Sequence, residues 1–270
     1  MDVLPKWTEN CAALLAGALI FGMATHGATA ASRAVAKAEC PSSGARVVSF
    51  ARALDGGAFV TSDGEEVRLS GVLPLGAGGE SASEPAAATA RDALAKALRD
   101  RTVSLAPADA PRDRYGRTIA QVFADGTWVQ AALLQAGEVR VAPDLASAPC
   151  AKALLAAEVE ARERRSGLWR GGFRVQDPDS IRNRVGSFQI VEGAVVTATV
   201  TRGRAFINFG ADYRTDFTVT IEPEDMRTFR QVKFDVAALT GKRIRVRGWV
   251  EFYNGPEITL TTPAAIEVLE

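Results

Sequence analysis

Few of the side chains that usually carry nucleophilic or metal chemistry occur in this chain of 270 residues: one histidine, His26, and three cysteines, Cys11, Cys40 and Cys150. A lone histidine near the N-terminus leaves no Ser-His or Cys-His pair for the rest of the sequence. The cysteines lack the close pairing of a zinc site. Net charge is missing too, since Lys+Arg and Asp+Glu are both 32. That removes the basic excess that draws a protein nonspecifically to nucleic acid, and leaves only local basic patches open. Gly76-Ala77-Gly78-Gly79 is glycine-rich, but no Lys-Ser/Thr follows it and no phosphate loop is implied. The apolar run Cys11–Met23 stops well short of the ~20 residues that span a bilayer.

That run is followed by Ala28-Thr29-Ala30, the small-residue pattern of a signal-peptidase site. Residues 1–30 therefore read as a secretory leader, which predicts a periplasmic or secreted protein without integral membrane association once the leader is cleaved. Lys6 is outweighed by Asp2 and Glu9, so an uncleaved anchor and a cytosolic chain stay open. Ala38-Glu39 before Cys40 makes a poor lipobox. After cleavage Cys40 and Cys150 remain, an even pair that permits one disulfide in an oxidising compartment. Two separate thiols are the alternative.

With 47% hydrophobic residues there is enough apolar material for two ordinary domains. Period-two alternation and the turn signals Asp55-Gly56-Gly57 and Asp63-Gly64 predict strands over Ala45–Leu54, Ala58–Ser62 and Glu65–Val72. A helix runs from Glu84-Pro85 to about Asp100, carrying Ala90, Leu94 and Leu98 at four-residue spacing. Strands follow at Val103–Ala106 and Arg117–Phe123, then helices over Trp128–Gln135 and Ala151–Ser166, the second with Leu154, Leu155 and Val159 as its apolar stripe. Gly171-Gly172 and Asp177-Pro178-Asp179-Ser180 form a turn-rich linker. From Gly186 onward the chain is nearly all strand, with short helical pieces near Glu222–Gln231 and Val236–Leu239, the pattern of a second small β-barrel. The resulting division is 1–30 leader, 31–45 N-terminal segment, 46–170 first module, 171–185 linker and 186–270 second module.

The turn Asp113-Arg114-Tyr115-Gly116-Arg117, the strand after it, and the upstream strand Val67-Arg68-Leu69-Ser70-Gly71-Val72 carry a resemblance. Over about Arg46–Trp169 this order of parts resembles the thermonuclease (staphylococcal nuclease-like) family. The resemblance implies an oligonucleotide-binding (OB) type barrel with three helices. The fold class is thus mainly β with α, in two small OB-type barrels. It further implies that Arg68 and Arg117 grip a phosphate, that Tyr115 lies beside the nucleotide with Arg114 in the same turn, and that Asp55 plays a supporting role. An arginine fork suits phosphate because it is planar, bidentate and permanently charged. Family members bind calcium, yet the positions of the second aspartate, the next metal carboxylate and the glutamate base read Gly57, Leu73 and Gly76 here. No cofactor is expected on that pattern, since calcium needs six to eight oxygens, several of them anionic. The stretches Phe206–Gly210 and Asp216–Ile221 resemble the C-terminal extension of some exported bacterial thermonuclease-like proteins.

For Arg68 and Arg117 the bland alternative is a surface ion pair with Glu65, Glu66, Asp113 or Asp125. For Tyr115 it is a half-buried aromatic packed on the barrel. The cluster Arg162, Arg164, Arg165, Arg170 and Arg174 either tracks a phosphate backbone or is a solvated helix end. Arg243, Arg245 and Arg247, with Trp249 and Phe252 or Tyr253, make either a basic-aromatic binding surface or an ordinary amphipathic strand. Three functions remain: a degenerate module that binds single-stranded nucleic acid or another polyanion, an active phosphodiesterase with a rearranged acid such as Glu80 or Glu84, and a scaffold for a protein partner.

Overall fold

The computed structural model describes Cys40 and residues 43–77, 84–143, 146–171, 173–212 and 214–269. The expected leader, and Glu80 among the candidate acids, lie outside the described residues. The architecture is mainly β with helices, and residues 36–270 form one compact unit.

The first half holds β1 (Arg46–Val48), β2 (Phe50–Ala53), β3 (Ala58–Thr61), β4 (Glu66–Leu69), β5 (Val72–Leu73), β6 (Val103–Arg112), β7 (Thr118–Ala124), β8 (Thr127–Trp128) and β9 (Arg140–Val141). Its helices are α1 (Glu84–Leu98), α2 (Val129–Ala136) and α3 (Ala148–Glu163). The main sheet runs β1-β6-β7-β4-β3-β2. Only Ser49 separates β1 from β2, so one bent stretch of chain supplies both edges of the ladder. The expected stripe of α1 is the one buried: Ala90, Leu94 and Leu98 face the core with Phe59, Val67 and Val122. α2 ends at Gly137, whose φ of 76° lets Gly137 and Glu138 return their N–H groups to the Leu134 and Leu133 carbonyls at 2.9 Å.

The second half holds β10 (Phe188–Ala194), β11 (Thr197–Thr201), β12 (Arg204–Asn208), β13 (Thr218–Ile221), α4 (Met226–Gln231), β14 (Arg243–Trp249), β15 (Glu251–Phe252), β16 (Pro256–Thr259) and β17 (Ile266–Val268). β11-β12-β13-β16-β15 form one sheet and β10-β14-β17 another. β10 leads into β11 and β14 into β15 across short bends, which joins the two sheets. Each half thus has one parallel strand pair among antiparallel ones, β4 with β7 and β13 with β16.

Two large apolar cores result, one in each half, and two small clusters join them. The segment expected as a linker is packed into this joint: Phe173 is buried beside Trp169 and Ile190, and Ile181 belongs to the second core. The seam also contains charge. Arg247 Nη1 donates to Glu158 Oε1 of α3 at 2.8 Å, and its Nη2 to Glu267 at 2.6 Å. The other oxygen of Glu158 accepts the Val141 N–H at 2.7 Å. Arg245 pairs with Glu192 and Glu267, and Arg243 with Glu192. A fully buried charge survives only with such partners.

Candidate functional site

Strand register decides which side chains meet. β4 and β7 run parallel, with Val67 opposite Thr118 and Arg68 opposite Ile119. Arg117 immediately precedes Thr118, so two arginines far apart in sequence come to neighbouring strands at the same level. Both line a cleft of about 100 Å3, together with Asp55, Gly57, Pro74 and Ala77.

Asp113 shapes one side of this cleft. Its Oδ1 accepts the N–H groups of Tyr115 and Arg117 at 2.9 and 3.0 Å, closing the turn. Its Oδ2 accepts Arg117 Nε at 2.7 Å. Only Nε is used in this way, so the two terminal nitrogens of Arg117 have no partner among the described residues. Burial pushes the Asp113 carboxyl up, but the hydrogen bonds from Arg117 and the Tyr115 N–H outweigh it and hold the group below its ordinary value. The ion pair left open by the sequence is therefore formed at Arg117.

Arg68 differs. It is half-buried, and its side chain has neither a hydrogen bond nor an ion pair among the described residues. Three of the acids that might have paired with it are engaged elsewhere: Glu65 takes Arg46 and the Thr118 hydroxyl at 2.6 Å each, Asp113 holds Arg117, and Asp125 caps the Thr102 N–H.

Tyr115 is 68% exposed, so it does not pack on the sheet as a half-buried aromatic. Arg114 donates to its hydroxyl at 2.6 Å and lies 4.7 Å over its ring, with Arg117 at 5.5 Å. Asp55 is exposed and spends one oxygen on the Gly57 N–H at 2.6 Å. Gly57 sits under the Pro74 ring: a Cβ there would lie 3.0 Å from Pro74 Cδ.

The other basic groups separate. Arg243, Arg245 and Arg247 are consumed by the acids of the seam, and Arg247 is 2% exposed, so this row is no open binding face. Arg162 lies near Glu158, and Arg164 pairs with Glu160, while Arg165, Arg170 and Arg174 remain exposed. The fully buried ionic residues Arg140 and Glu158 escaped the reading of the sequence. Their signal is a charge inside an otherwise apolar stretch, Val139-Arg140-Val141 and Leu154–Val159.

Residues 66–171 match the family model described as staphylococcal nuclease homologue. The chain carries a thermonuclease-like domain. At that level the match points to a nuclease-type or nucleic-acid-binding function. No curated protein matches the chain. The matched span of the thermonuclease-like domain takes in Arg68, Tyr115 and Arg117, and begins after Asp55 and Gly57. Among the described residues no helix is long and apolar enough to cross a membrane.

Proposed function

We propose that the thermonuclease-like domain binds single-stranded nucleic acid by seating a backbone phosphate between Arg68 and Arg117, without the metal-dependent hydrolysis of its family. The carrying observation is Arg68, half-buried and with no side-chain partner among the described residues, on the same cleft as an arginine whose Nε is tethered and whose terminal nitrogens meet no acceptor among those residues. Tyr115 supplies an exposed ring on which a base can stack, with Arg114 beside it.

The residues present do not fit calcium. Among the described residues the cleft offers one carboxylate, Asp55, already engaged by the Gly57 N–H. The Pro74 ring fills the space beside Gly57, and Leu73 is 3% exposed against Phe188 and Ala142. A missing general base alone costs about 10²–10⁴ in rate. Each half of the molecule is read as an OB-type barrel, in which a bent first strand returns to meet the fourth. Export belongs to the same reading, and the Cys40–Cys150 bond supports it, with Cα atoms 4.5 Å apart.

The test is a cleavage time course on labelled single-stranded DNA and RNA with calcium, magnesium or chelator, run beside binding by fluorescence anisotropy. Intact substrate throughout is expected, with binding that weakens in salt. Arg117→Ala removes charged hydrogen bonds to phosphate and is expected to weaken binding about 10- to 100-fold. It also lowers the slope of log K against log salt by about 0.7. Metal-dependent cleavage that vanishes in Arg117→Ala overturns the proposal in favour of a rearranged phosphodiesterase. Absence of any binding leaves the scaffold role.

A further inference from the structure

Behind the cleft wall lies a fully buried arginine. Arg140, on β9 opposite Leu73 of β5, donates from Nη2 to the Pro74 carbonyl at 3.1 Å and from Nη1 to the Phe188 carbonyl at 2.9 Å. Its guanidinium lies 4.7 Å over the Phe173 ring and 5.3 Å from that of Phe188. Pro74 belongs to the first half of the molecule, Phe188 to the second, and Phe173 to the segment between them. The Pro74 carbonyl also accepts the Ala77 N–H, at 3.4 Å, in the turn whose ends, Pro74 and Ala77, line the cleft.

The hydrogen bond from Ala77 to Pro74 across this turn is long, the side chains of the turn are apolar, and the seam packs against it from behind. Leu73 and Ala77 pack with Phe188 and Trp249, a T-shaped pair 6.0 Å apart. Leu75 packs with Trp169 and Phe173. The fork of Arg140 joins these contacts to the backbone, because one planar group fixes two carbonyls from different halves at a set spacing.

We infer that Arg140 is a positioning residue through which the second half sets the wall of the cleft, so that ligand binding in the cleft and docking of the second half are coupled. Coupling of this kind is reciprocal: whatever tightens the seam tightens the wall, and a ligand pressing on the wall is felt at Trp249. The ligand part of the inference rests on the phosphate-binding reading of the cleft, whereas the wall part does not.

Arg140→Lys keeps the charge and loses the fork. Hydrogen exchange of the Ala77 amide is expected to rise about tenfold in this variant, while amides of β7 and β14 keep their rates. Uniform acceleration across both halves, or no change at Ala77, overturns the inference, since a merely structural arginine loosens everything together. Should Arg140→Lys fail to fold, Leu75→Ala loosens the same wall from its other side and is judged by the same amides. The second arm uses protein labelled with 5-fluorotryptophan and an oligothymidylate as probe, with the Trp249 signal assigned by Trp249→Phe. The oligonucleotide is expected to shift the Trp249 resonance in the wild type and to leave it in place in Arg140→Lys, with several-fold weaker binding. An unmoved Trp249 in wild-type protein saturated with the oligonucleotide overturns the coupling. If Arg117→Ala leaves oligonucleotide binding intact, the phosphate site is elsewhere and that reading falls, while exchange at Ala77 still decides the role of Arg140.

Discussion

Asp113 is the residue on which the cleft turns, since it closes the β6–β7 turn and tethers Arg117 with the same carboxylate. Its folded-state pKa is depressed, so it contributes stability above its unfolded value near 3.8, and that contribution disappears as pH falls through the folded value. Urea midpoints from pH 6 to pH 2 should therefore fall more steeply in the wild type than in Asp113→Asn, and parallel curves would refute this. Gly56 sets a second residue-scale condition. A Cβ there would lie 2.6 Å from that of Ala90, so Gly56→Ala should cost about 1–3 kcal/mol in denaturant titration by forcing α1 away from the sheet. Arg68 and Arg117, which line the cleft, were legible as candidates in the sequence because a strand start and a short turn mark their positions. Arg140 was not, because the Phe188 and Pro74 carbonyls that it joins are 48 and 66 residues away in sequence.

At the scale of elements, α3 shows why a correct helix can have its face misread. The sequence gives Leu154, Leu155 and Val159 as an apolar stripe, yet the sides that face inward are Ala151, Leu154, Ala157, Glu158 and Ala161. The inward face includes a carboxylate because α3 packs against β14, whose Arg247 needs an acid. In the same way, alternation correctly marked Arg243, Arg245 and Arg247 as one face of a strand, but could not reveal what covers that face. Glu158→Ala should destabilise the protein by about 3–5 kcal/mol, because it leaves the buried Arg247 with Glu267 alone and takes the acceptor from the Val141 N–H. Glu158→Leu combined with Arg247→Met should recover most of that loss in chemical denaturation. A double variant as unstable as Glu158→Ala would show that geometry, not charge, governs the contact. Glu192 adds a pH dependence here. Burial pushes it up, but Arg243 and Arg245 hold it below its usual value, so its share of seam stability is lost on acidification.

At the scale of the whole molecule, the strand-rich pattern with three helices and a second strand-rich half was readable from periodicity and turn residues. The extent of contact between halves was not, since Leu73, Leu75, Phe173 and Phe188 look like ordinary core residues until the seam is assembled. A chain ending at Arg170 would bare that apolar strip, and should be less stable and prone to associate in light scattering. Full-length protein should unfold in one transition by both tryptophan fluorescence and circular dichroism. Two separated transitions would mean that the seam is weaker than its contacts imply. The Cys40–Cys150 bond closes a loop of sequence separation 110, worth roughly 4–5 kcal/mol by chain entropy, so reduction should lower the melting temperature.

The same bond decides how the molecule behaves when its backbone is cut. The turn that carries Tyr115 is exposed and offers trypsin Arg112, Arg114 and Arg117. A nick there falls inside the covalent ring between Cys40 and Cys150, so the two pieces stay fastened. The nicked protein would migrate as a single band without thiol and as two bands with it, and would keep its seam intact with the turn that bears Tyr115 cut open.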